Sequence, residues 1–128
     1  MKSREGLIRL KRFHVEEKRR RVSQIEAMIA EFDRMAKELD DQILSEQERS
    51  GIHDAGHFAY PTFAKAAMQR RDNLTASAGE LRQQLAAAKA EWDEAAAELA
   101  KAEAIAERDN AAAGRAVVEP RGAAVVAR

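Results

Sequence analysis

Ser50-Gly51-Ile52-His53-Asp54-Ala55-Gly56-His57 interrupts two long stretches of heptad periodicity, and what the chain does at this interruption sets its architecture. Upstream, Ile8, Val15, Val22, Ile29, Ala36 and Ile43 recur every seven residues, with Ile25, Phe32 and Leu39 in the interleaved position. That spacing puts them on one stripe of a helix, the a/d seam along which two helices pack. Downstream, Ala64, Ala78, Leu85, Trp92 and Leu99 mark one seam position, and Ala67, Leu74, Leu81, Ala88, Ala95 and Ala102 mark the other. Gly51 can take the left-handed conformation that stops a helix, and Pro61 suits the first turn of a new one, where its missing amide donor costs nothing. The spacing therefore predicts an all-α chain. A helix over 3–49, opened by Ser3 as N-cap, is joined by a turn at 50–60 to a helix over 61–109. Residues 110–128, rich in Ala, Val and Gly, lose the heptads and read as a flexible tail.

Charge decides how the two helices meet. Residues 1 to 21 carry nine bases and three acids, whereas residues 89 to 109 carry three bases and seven acids. Residues 22 to 50 are acidic, with three bases and eight acids, and residues 60 to 88 are basic, with four and two. Folding back near residue 55 sets each segment beside one of opposite sign, while a parallel dimer would stack the basic end on its own copy. The sequence thus predicts an antiparallel coiled-coil hairpin, with Trp92 opposite Val15, Lys18 and Val22. Lys11, Lys18 and Arg71 in seam positions, and Gly79 in a helix interior, keep its stability modest.

Composition agrees with that reading. Leu, Ile, Val and Phe make 24 of 128 residues, too few for a thick core, yet 22 bases balance 22 acids, which argues against a charged, unfolded coil. Ala, Glu, Lys, Leu and Arg supply 73 of 128 residues, the composition of long paired helices. With no cysteine, thiolate catalysis, disulfides and cysteine–zinc sites are excluded, and a reducing cytoplasm fits. No signal peptide is expected, and no apolar run approaches the roughly 20 residues that span a bilayer.

Catalytic signatures are missing as well. There is no Gly-rich phosphate loop, nucleophile elbow, zinc helix or EF-hand loop, so the chain reads as a non-enzyme with no cofactor. His53 and His57 stand four apart, but Gly56 between them and the lack of further ligands favour a polar turn over a metal site. Lys18-Arg19-Arg20-Arg21, with Arg9, Lys11 and Arg12, forms a basic face. Three readings apply to it: neutralisation by the second helix, an acidic protein surface, or nucleic acid phosphates. Zero net charge and the absence of stacking aromatics rank nucleic acid last. His57, Phe58, Tyr60 and Phe63 gather at the turn, either capping the hairpin over Ile43 and Ile52 or facing a partner.

Three stretches resemble the alphaproteobacterial FliJ-like flagellar export proteins. They are the opening Met1-Lys2-Ser3-Arg4-Glu5-Gly6-Leu7-Ile8-Arg9-Leu10-Lys11-Arg12-Phe13, the segment Gln24-Ile25-Glu26-Ala27-Met28-Ile29-Ala30-Glu31-Phe32, and the turn region from His57-Phe58-Ala59-Tyr60-Pro61-Thr62-Phe63 to Gln69-Arg70-Arg71-Asp72-Asn73-Leu74. The likeness covers residues 1–109, and the chain departs from it at its Ala-, Val- and Gly-rich end. The resemblance implies a cytoplasmic, non-enzymatic adaptor of the flagellar type III export apparatus, peripheral to the basal body. By that analogy Arg9, Lys11, Arg12, Arg19, Arg20 and Arg21 face the flagellar export ATPase ring, and Phe58, Tyr60, Phe63, Gln69 and Arg70 face the export gate membrane protein. Export chaperones are further implied partners, and nucleic acid and direct membrane insertion are not. The same heptads also suit a generic scaffold that homo-oligomerises, two hairpins pairing through Met28, Met35 and Leu44.

Overall fold

The structure, a computed structural model, describes the backbone of residues 2–127 and the side chains of residues 3–115. The chain is all-α, a helical hairpin of two long elements, α1 (Lys2–Ser50) and α2 (Thr62–Ala127), joined by one turn. It divides into two compact units. The terminal unit is Met1–Arg19 with Ala90–Arg128, and the turn unit is Arg20–Lys89.

In the turn unit, Val22, Ile25, Ile29, Leu39 and Ile43 of α1 and Ala64, Ala67, Ala78, Leu81 and Ala88 of α2 are buried. All ten are heptad seam positions. Removing this apolar area from water, at about 25 cal/mol per Å², drives the helices together, since neither has a core of its own. Leu39, Ile43 and Ala67 form a cluster, with Met68 and Leu74 packed against it. Alanines on α2 let the two backbones approach closely but bury little per layer. Ile25, 1% exposed, is the largest side chain to be fully enclosed.

In the terminal unit the seam positions Ile8, Val15, Leu99, Ala102 and Ala106 are half-buried, as is Trp92. From Glu107 to Arg115 every side chain is exposed. The paired part of α2 therefore ends close to Asp109, where the heptads stop. The backbone helix does not end there, contrary to the sequence expectation, and runs on to Ala127. Loss of periodicity removes a packing partner without removing helix propensity, and Ala111-Ala112-Ala113 has the highest propensity of any residue type. The side chains that would test a flexible tail from residue 116 lie outside the described residues.

Pairing is antiparallel in each unit. In the turn unit, Arg82 reaches Asp33 and Arg71 reaches Asp40, so partners rise along α1 as they fall along α2. The terminal unit repeats this with Lys11 on Glu98 and Lys18 on Glu91, both at 3.3 Å, together with Arg4 on Asp109. The seam cations foreseen as weak points are thus the ones that span the helices: Lys11, Lys18 and Arg71 run their aliphatic stems over the seam and place their charges on carboxylates at its edge. Such exposed pairs contribute about 0–1 kcal/mol each, so they fix direction more than stability.

Candidate functional site: the basic helix face and the turn

The turn begins with a defined stop. Gly51 has φ +74°, and its amide donates to the Gln47 carbonyl at 2.9 Å, capping α1. Ser50 reinforces the cap by accepting from the Ile52 amide at 3.2 Å. Asp54 Oδ1 then accepts from the Gly56 amide at 2.9 Å, and His57 Nδ1 accepts from the Ala59 amide at 3.0 Å. His57 is therefore a turn-forming residue, with one ring nitrogen already engaged. Among the described residues no group of three or more His, Cys, Asp or Glu side chains is arranged to hold a metal ion. The Pro61 carbonyl accepts from Lys65 at 3.1 Å, so Pro61 caps α2 from just outside and Thr62 is its first residue, one later than the sequence suggested.

The five turn-side residues assigned to the gate separate into two groups. Phe58 is 96% exposed and stacks on the His57 ring with centroids 4.8 Å apart. Phe63 is 57% exposed, and Gln69 and Arg70 are also exposed. Tyr60 is not part of that surface: it is 7% exposed, and its hydroxyl accepts from Gln47 Nε2 at 2.9 Å while donating to Met68 Sδ at 3.5 Å. Its ring seals the end of the hairpin, and the aromatic cluster divides between a cap and an exposed pair. Ile43 is buried and Ile52 half-buried, and Phe58, almost wholly exposed, adds little to their cover.

On α1 the six basic residues also divide. Lys11 is held by Glu98, Arg12 lies 3.9 Å from Glu103, and Arg19 is bonded to Glu16 one turn earlier on the same helix. The Glu16 hydrogen bond, and then its charge, raise the Arg19 guanidinium above its ordinary pKa. Arg9 and Arg21 are exposed and form no ion pair among the described residues, and Arg20 is exposed as well. The face thus keeps several cations pointing outward after α2 has neutralised those nearest the seam. Exposed guanidinium groups can pair with carboxylates.

Two further features were missed by sequence reasoning. Leu7, Leu10 and Ile105, outside the seam, are about half exposed at 48%, 50% and 48%. The terminal unit also carries two shallow grooves, one lined by Leu7, Ile8, Ala102 and Ile105, the other by Glu17, Glu91, Glu94 and Glu98. The available signal was the apolar type of Leu7 and Ile105 one position before seam residues. Of the outward residues proposed to pair two hairpins, Met28 and Leu44 are exposed at 44% and 52%, but Met35 is half-buried and contributes less.

Fold and surface define an all-α helical hairpin with a basic helix face and an aromatic turn. No helix among the described residues is long and apolar enough to cross a membrane. Compared with protein-family models, with curated proteins and with solved structures, the chain matches none.

Proposed function

We propose that this chain is a non-enzymatic adaptor of the flagellar type III protein export apparatus, working in the cytoplasm at the basal body. It binds the export ATPase ring through the basic face of α1 and the export gate through the turn, and it hands on substrates carried by export chaperones. The observation that carries the reading is the exposed basic side chains on the first half of α1, of which Arg9 and Arg21 form no ion pair among the described residues. The aromatic pair Phe58 and Phe63 with Gln69 and Arg70 supplies a second, chemically different surface at the turn.

The mechanism needs no reacting group. A hairpin seated against a ring of identical subunits touches each one differently, and a contact that favours one nucleotide state over another shifts the equilibrium by its differential free energy. Stimulation would then depend on charge, with the salt sensitivity of an exposed electrostatic contact.

Titration of the chain into purified export ATPase, following phosphate release and hexamer formation, tests this. Saturable stimulation is expected, and the charge reversal Arg19→Glu/Arg20→Glu/Arg21→Glu is expected to weaken it about tenfold or more while helicity is kept. Equal stimulation by the reversed variant would remove the basic face from the account, and no binding by the wild-type chain would remove the export role.

A further inference from the structure

Leu7 and His14 each precede a seam residue of α1, Ile8 and Val15. On α2, Glu91, Glu98 and Ile105 each precede one as well, Trp92, Leu99 and Ala106. In an antiparallel pair these positions fall on the same side, and the grooves of the terminal unit lie along it. The first groove is lined by Leu7, Ile8, Ala102 and Ile105 with the cations Arg4, Lys11 and Lys101. The second shares Glu98 with the first and is lined by Glu17, Glu91 and Glu94 with Lys18 as its cation.

Pairing inside the hairpin leaves a remainder. Lys11 is taken by Glu98, Lys18 by Glu91 and Arg4 by Asp109. Lys101 in the first groove, and Glu17 and Glu94 in the second, are exposed and form no ion pair among the described residues. The side therefore carries an apolar stretch with a surplus cation next to a stretch with surplus carboxylates, in that order along the helix. Reversed on a second copy, the surplus cation of each strip meets a surplus carboxylate of the other, the charge complementarity that a two-fold interface uses.

We propose that this side of the terminal unit docks a second copy of the chain, antiparallel to the first, in a closed dimer. Reversal of α2 about a point between Ala97 and Glu98 sets Lys101 of each copy against Glu94 of the other. The half-exposed Leu7 and Ile105 are covered in the process. Arg9, Arg12, Arg19 and Arg20 occupy other sides of α1, so the dimer leaves these four of the proposed ATPase-facing cations outside, whereas Lys11 lines the covered groove. This inference goes beyond that reading and stands without it. A strip this short falls below the roughly 1,200 Å² of a standard interface, which implies a weak pair, half-associated at about 10–100 μM.

Sedimentation equilibrium of the full chain over a wide concentration range, at about 20 mM and about 500 mM salt, tests the proposal. The weight-average mass is expected to rise from 14.2 kDa towards twice that value at low salt and to fall back at high salt. Lys101→Glu and Glu94→Lys, each at an exposed site and each checked for helicity, are expected to raise the midpoint concentration at least about tenfold, since each places two like-charge contacts in the symmetric interface. An equimolar mixture of the two variants, and the double variant in one chain, are expected to associate like the wild type because the pairs are restored. A chain that stays monomeric, assembles beyond a dimer or associates equally at both salt concentrations would overturn the proposal. Single variants that pair normally, or a mixture that does not recover, would overturn it equally.

Discussion

Ile25→Ala is expected to remove about 2–4 kcal/mol of folding free energy and to lower the thermal midpoint by roughly 10–15 °C. Ile25 is the one large side chain that the helices enclose completely, at 1% exposure. Seam side chains packed close to native density move only in part into the space left behind. The cavity is therefore kept, and the cost sits well above the transfer free energy of the lost methyl groups alone. A domain with so thin a core has little stability in reserve. Leu44→Ala is the internal control: Leu44 is 52% exposed, and its loss is expected to cost under about 0.5 kcal/mol. Thermal unfolding followed by circular dichroism separates the two, and equal midpoints would mean that Ile25 is not enclosed.

Tyr60 carries the second large effect. Its ring is buried at the hairpin end, and its hydroxyl bridges Gln47 of α1 and Met68 of α2. Tyr60→Ala is expected to cost about 3 kcal/mol, mostly through the ring, and Tyr60→Phe about 1 kcal/mol, because half-buried Gln47 then loses its partner. Phe58→Ala, by contrast, is expected to leave stability within about 0.5 kcal/mol of the wild type, since Phe58 is 96% exposed. Denaturant midpoints of the three variants check the ranking. A mild Tyr60→Ala would return the ring to the surface and restore the aromatic cluster as a single patch.

The contrast between Tyr60 and Phe58 also marks where sequence reasoning stops. The seam was legible in full, because each buried hydrophobic residue of the two helices sits at a heptad position and the period survives any error in local boundaries. The helix stop at Gly51 was equally legible, since φ +74° is a demand that a glycine answers openly. Which ring at the turn faces inward was not legible. It depends on the path of residues 51–61, set by the Asp54 and His57 side chains bonding to nearby amides, and on Gln47 and Met68 arriving from different helices. The antiparallel sense followed from summed charge, but the individual partners did not: Arg71, for example, bonds both Asp40 across the seam and its own neighbour Asp72. The self-complementary strip stayed hidden for a related reason, as it emerges only after the inter-helix pairs are subtracted.

The claim on which everything else rests is that α1 and α2 pack antiparallel within one chain. Spin labels at Leu10→Cys and Ile105→Cys, both half-exposed and both in the terminal unit, test it by pulsed electron resonance in a sample diluted with unlabelled chain. Helices packed at 8–10 Å between axes predict a narrow distance distribution below about 30 Å. An intramolecular distance beyond about 60 Å, as helices extended away from the turn at 1.5 Å per residue would give, would contradict the hairpin and every surface derived from it.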